Sequence, residues 1–290
     1  MPLEFIGTSN NIPHFQSGVK VHYYELHNPS LPTIKVYVSD VYQQKYGMGY
    51  GYSEIEDIFF SLIEAKNAPH LLDAPPLTFY FFSESQKNQP EIPMAKNRQA
   101  WASSQDHTVE IFLYADSMPY DFRYTLVHEI VHYFDYKLLN SDAIINYWGY
   151  RGRNWLLEGS AEYGSYFCYS YPPNTYNTLE GRSWLKDKAA IIEYTKMQGK
   201  GFESDPISLL HAFGDVPRNT ENYGIFLSFY WYLQNTYNTQ LLDYVNYVMT
   251  NYANRSNITQ SEMNEVATKF LGKSETEVLR DWLSDFNYFR

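Results

Sequence analysis

Short runs of apolar residues, broken by polar ones, fill the first third of the chain. "VKVHYYEL" (19–26) and "IKVYVS" (34–39) are brief, β-branched and aromatic, which reads as strand. "LTFYFFS" (77–83) is a more fully apolar strand, and "TVEIFLYA" (108–115) is the next. One helical pattern interrupts them. In "SEIEDIFFSLIEAK" (53–66), Ile55, Ile58, Phe59, Leu62 and Ile63 form one stripe, and Ser53 with Glu56 makes a capping box. Residues 84–107 are polar, contain Pro and Asn, and follow no period, so they are expected to form a long loop of the kind that often carries function. Trp101 lies in it, as a cleft-lining or core-covering residue.

Past residue 115 the period becomes helical. "DSMPYDF" supplies a helix start, with Asp116 or Ser117 as cap and Pro119 early, and the helix runs to about Leu139. A polar connection at 140–154 leads to a second helix, "WLLEGSAEYGSYF" (155–167). Further helices are expected at 183–197, 204–213, 221–236, 239–252, 261–271 and 275–287. Thr259 with Glu262 and Ser274 with Glu277 give two more capping boxes. Strands first and helices afterwards predict an α+β chain. Residues 1–139 form an α+β subdomain with a mixed sheet, and 140–290 a mostly helical subdomain.

Composition narrows the function classes. A net charge of −11 argues against nucleic acid, which requires a basic footprint. No run reaches the length of a membrane span, and "MPLEFIGTSNNIPHF" lacks the basic and apolar regions of a signal peptide. The single cysteine, Cys168, allows no internal disulfide and no cysteine metal cluster, and reads as a small core residue. Asp and Asn are frequent but show no EF-hand spacing, so a structural calcium ion has no sequence support.

Candidate chemistry centres on "YTLVHEIVHYFDY" (124–136). Buried imidazoles and a buried carboxylate are costly unless paired. Positions i and i+4 share a helix face, so His128 and His132 present two imidazoles to one point. Glu129, about 100° round the helix, reaches a water held there. This is the H-E-x-x-H pattern of zinc hydrolases. Zinc takes neutral imidazole nitrogen, wants a third protein ligand and keeps a position for water. The next helix offers that ligand: Glu158 and Glu162 again stand at i and i+4, beside Trp155, Leu156 and Leu157. Glu158 is the candidate third ligand, and Glu162 a partner for the far nitrogen of His128. Gly159 leaves room for two backbones to approach. Asp135, near His132, is a candidate brace for it.

"HEIVHYFDY" followed by "NWLLEGSAEY" resembles the gluzincin branch of zinc metallopeptidases, and within it is most similar to bacterial collagenases of the M9 type, with thermolysin more distant. The close resemblance covers about 128–164. It implies a thermolysin-like architecture with the active-site helix between a sheet and a helical subdomain. It also implies zinc on His128, His132 and Glu158, with Glu129 as general base and then general acid. "TVEIFLYA" would be the sheet edge that pairs with a peptide substrate. The hydrogen-bond donor to the developing oxyanion would be Tyr223, ahead of "GIFLSFYWYLQNTY", or His211 by analogy with thermolysin. A zinc-dependent, secreted metalloendopeptidase is the implied function. An aminopeptidase is the first rival, disfavoured because no G-x-M-E-N-type stretch precedes the helix. A non-catalytic protease-like binding protein is the second, disfavoured by the intact His, Glu, His and Glu set.

Overall fold

The computed structural model describes residues 3–65, 76–86, 100–105, 108–115, 119–138, 158–165, 229–230, 232–252 and 259–287. The chain divides into two compact units, 1–137 with 164–172, and 138–163 with 173–290.

The first unit is built on a six-stranded mixed sheet. Its strands are β1 (Glu4–Ser9), β2 (Val21–Leu26), β3 (Ile34–Ser39), β4 (Leu77–Ser83), β5 (Ala100–Gln105) and β6 (Thr108–Ala115), in the spatial order β1-β2-β3-β4-β6-β5. β1, β2 and β3 pair antiparallel; β3–β4 and β4–β6 are parallel; β5 returns antiparallel along β6. The strands expected at 34–39, 77–83 and 108–115 appear with those bounds.

Two expectations are corrected here. Residues 84–107 are not one loop, because 100–105 form β5. "TVEIFLYA" is not the sheet edge either: β6 lies between β4 and β5, and among the described residues the edges are β5 and β1. "AWASSQ" carries small and polar residues in place of β-branched alternation, so its strand state comes from pairing with β6, which a local pattern does not reveal.

Because side chains alternate across a strand, the sheet has two distinct faces. Ile34, Val36, Val38, Leu77, Phe79, Phe81, Val109, Ile111 and Leu113 are all fully buried on one. Helix α1 (Asp40–Tyr46) follows β3 without a linker, and Tyr42 meets Phe81 edge-on at 5.5 Å on this side. The Ser39 hydroxyl caps α1 by accepting from the Tyr42 N–H. On the other face a row of rings crosses the strands: Tyr23 stacks on Tyr37 (4.8 Å), Tyr37 on Tyr80 (5.5 Å) and Tyr80 on Phe112 (5.0 Å). The segment between β1 and β2 covers this face, with Phe15 packed on Phe82 at 4.5 Å.

Helix α2 (Ile55–Ala65) buries four of the five residues of its expected stripe, with Ile63 half-buried, and Phe59 packs against Tyr133 and Phe134 of α3 (Pro119–Leu138). The capping box expected at Ser53 is absent. Ser53 lies in a 3-10 turn and donates to the Gly49 carbonyl, while Glu56 accepts from Asn28.

Helical residues 158–165, here α4, span the division between the two units in sequence. In the second unit, helical residues 229–230 and 232–237 precede α5 (Thr239–Tyr252), α6 (Gln260–Leu271) and α7 (Glu275–Asn287). Leu241, Tyr244, Val248, Met263, Ala267, Val278 and Trp282 are buried there. The Thr259–Glu262 capping box forms, Ser274 and Glu277 cap α7 in the same reciprocal way, and Gly272 closes α6 at φ 74°. The helices expected at 183–197 and 204–213, the connection at 140–154 and Cys168 lie outside the described residues. No described helix is long and apolar enough to cross a membrane.

Candidate metal centre

Helix α3 is enclosed on every side through its middle. All nine residues from Leu126 to Phe134 are buried, and three of them, His128, Glu129 and His132, carry groups that ionise at or below neutral pH in water. A helix buried all round is normally apolar all round, and this one departs from that rule only at those positions. The neighbouring residues hold the helix in place. Leu126, Val127, Ile130 and Val131 are fully buried, and Tyr133 and Phe134 flank Phe59. Burial raises the Tyr133 hydroxyl far above its ordinary pKa, so the ring acts as a packed, neutral wall.

One turn apart, the two imidazoles converge. Their Nε2 atoms are 3.1 Å from each other and the ring planes stand at 86°. Two nitrogens bound tetrahedrally to one zinc ion would lie roughly 3.3 Å apart, from bonds of about 2.0–2.1 Å. Glu158, on α4, completes the group. One ligand atom from each of His128, His132 and Glu158 falls within 4.8 Å of the others, and all three residues are buried. Two imidazole nitrogens and one carboxylate oxygen, buried together, are the donor set of a zinc site that keeps a position open. The residues present therefore fit the ion.

Glu129 is 6% exposed and follows His128 directly on the same helix; Glu162 is 4% exposed and stands one turn beyond Glu158. Intrinsic propensity does not make α4 a helix. "EGSAEYGS" holds two glycines and two serines, and each glycine costs about 1 kcal/mol relative to alanine in a helix interior. Packing holds it: Ser160, Ala161 and Ser165 are buried, and Tyr163 meets Tyr230 at 5.7 Å. A close approach is found at Gly164, where an added Cβ would come within 2.5 Å of the Val131 side chain at Cγ2. Small residues at 160, 161 and 164, spaced three and four apart, were the available sequence signal for it.

Asp135 belongs to α3, and Trp101 to β5, but the side chains of both lie outside the described residues. Tyr223 and His211 lie wholly outside them.

No protein-family model matches the chain, and no curated protein matches it. Among solved structures it is similar to an M1 zinc metallopeptidase from Deinococcus radiodurans. One match is to a mutant form bound to a Tyr-Ser-Ala substrate, at 10% identity and TM-score 0.46. Another is to the same peptidase, at 11% identity and TM-score 0.45. Each alignment covers 96% of this chain and 59% of the other. Both TM-scores fall below one half, so the fold and the site rest on this chain's own geometry.

Proposed function

We propose that the chain is a zinc-dependent metallopeptidase of gluzincin type, and that it cleaves internal peptide bonds. The observation that carries this reading is the convergence of His128, His132 and Glu158 within 4.8 Å, buried, with Glu129 beside them. His128, His132 and Glu158 would hold the ion. Bound there, zinc would polarise the scissile carbonyl and acidify the attacking water. Glu129 accepts the proton of that water and returns it to the leaving amine. Glu162 orients the ligands from one turn beyond Glu158. The donor to the developing oxyanion is assigned to Tyr223, with His211 as the alternative.

An extended peptide is bound by backbone pairing along β5. Among the described residues this strand has one unpaired edge, and it neighbours β6, the strand that leads toward α3. The endopeptidase reading is supported by the chemistry of that edge: "AWASSQ" offers no carboxylate to hold a free α-amine. The motif likeness to M9-type collagenases is confined to about 128–164, and collagen itself is not proposed as substrate.

The test joins metal analysis to a matched pair of peptides. Purified protein should carry about one zinc per chain and cleave N-terminally blocked peptides as well as free ones. Protein without zinc that cleaves neither peptide would remove the reading; cleavage of free termini alone would replace endopeptidase with aminopeptidase.

A further inference from the structure

We propose that Gly164 is a positioning residue for the metal centre: its bare α-carbon against Val131 sets how closely α4 lies on α3, and so where the Glu158 carboxylate falls relative to the two imidazoles. This inference rests on the zinc reading above.

A Cβ added at Gly164 would stand 2.5 Å from Val131 Cγ2, and 3.5 Å from both Val131 Cγ1 and Leu62 Cδ2. Ordinary contact begins near 3.4 Å, so one methyl group demands a shift of about 0.9 Å. Val131 is poorly able to supply it. The residue is fully buried, and a β-branched side chain in a helix is confined to essentially one rotamer. Leu62 closes the same spot from α2. The strain is therefore relieved by moving α4.

The location makes such a movement chemical. Val131 lies three residues after His128 and one before His132, so α4 rests on α3 within the turn that carries both imidazoles. Glu158 is six residues from Gly164 on α4, about 9 Å along the axis, and a short helix transmits a displacement over that span. Metal sites accept ligand distances only within about 0.2 Å. A shift of this size exceeds that tolerance several-fold, while still being small enough for a core to absorb.

The experiment uses the full chain and measures zinc affinity by competition with a chromophoric chelator, together with the visible spectrum of the cobalt-substituted protein. Gly164→Ala should weaken zinc binding by about tenfold or more and change the cobalt band. Adding Val131→Ala in the same chain should return affinity to within about threefold of wild type, because it removes the opposing methyl groups. Val38→Ala, a fully buried sheet position, is the control for destabilisation alone: its melting temperature should fall while its zinc affinity holds.

Zinc affinity unchanged in Gly164→Ala, or a double variant that binds no better than the single, overturns the proposal. If Gly164→Ala alone does not fold, the double variant is compared with Val131→Ala. Matching affinities support the proposal, and a gap of about tenfold overturns it. Wild-type protein that takes up no zinc overturns the metal reading itself, and this proposal with it.

Discussion

Two groups of ionisable side chains can be set side by side. On the ring-covered face of the sheet, Glu110 of β6 accepts from the Tyr80 hydroxyl at 3.0 Å and lies 3.3 Å from His14 Nε2. His14 also packs edge-on to Tyr80 and Phe112, each at 5.0 Å, from a left-handed backbone at φ 68°. In this group an acid meets donors that the protein itself supplies. The group on α3 and α4 is arranged differently. Its two imidazoles aim the same ring nitrogen at each other, and a carboxylate is brought up to the same point. One arrangement pairs an acid with a hydroxyl and an imidazole; the other brings two imidazole nitrogens and a carboxylate to one point. Three ligand atoms converging in a buried setting suit a cation, so how the groups are aimed separates a structural cluster from a candidate metal centre where residue type alone does not.

The largest effect expected from that contrast is catalytic. Glu129→Gln should lower kcat/KM by roughly 10²–10⁴-fold while zinc content stays at the wild-type level, as peptide cleavage and metal analysis on one preparation will show. Unchanged turnover would take Glu129 out of the reaction.

Next in size is the response to chelation. Zinc at a hundredfold excess over its dissociation constant adds about 2.7 kcal/mol of stability. Removing it should lower the melting temperature of wild-type protein reversibly, but leave that of Glu158→Ala untouched.

Smaller again is the effect at the sheet. The hydrogen bond with His14 first, and that from Tyr80, hold the Glu110 carboxyl below its ordinary value, against the opposite pull of partial burial. The group therefore contributes stability above the ordinary carboxylate pKa of 4.5, and that contribution is lost as pH falls through the lower folded value. Glu110→Gln should cost about 1 kcal/mol at neutral pH, flatten the acid limb of a stability–pH curve, and leave zinc affinity unchanged. Loss of zinc in this variant would show that the two groups are coupled.

Least, and confined to the second unit, Thr259→Ala removes the cap of α6. It should cost about 1 kcal/mol in a denaturant titration without altering turnover.

Legibility in the sequence followed the range over which each feature is decided. The strands at 34–39, 77–83 and 108–115, the capping boxes at 259 and 274, and the shared face of His128 and His132 are set by neighbours a few residues apart. All of these were readable. β5 was not, because "AWASSQ" becomes a strand only by lying against residues 108–115. Helix α1 was passed over because seven residues carry too little period, although Ser39 and Gly47 mark its ends. Ser53 looked like a helix cap and instead turns back to Gly49. The same spacing rule puts Glu158 and Glu162 on one helix face, and Glu158 lies within 4.8 Å of the two imidazoles by ligand atom. For the fit of Gly164 to Val131 the small residues at 160, 161 and 164 give only a helix face, since the partner depends on which two helices touch.

The enclosure of residues 126–134 also has a kinetic side. Amide protons so placed exchange with solvent only when the surrounding core opens as a whole. In a deuterium time course the turn bearing the two imidazoles should therefore be among the last to take up label, well after β1 at the sheet margin.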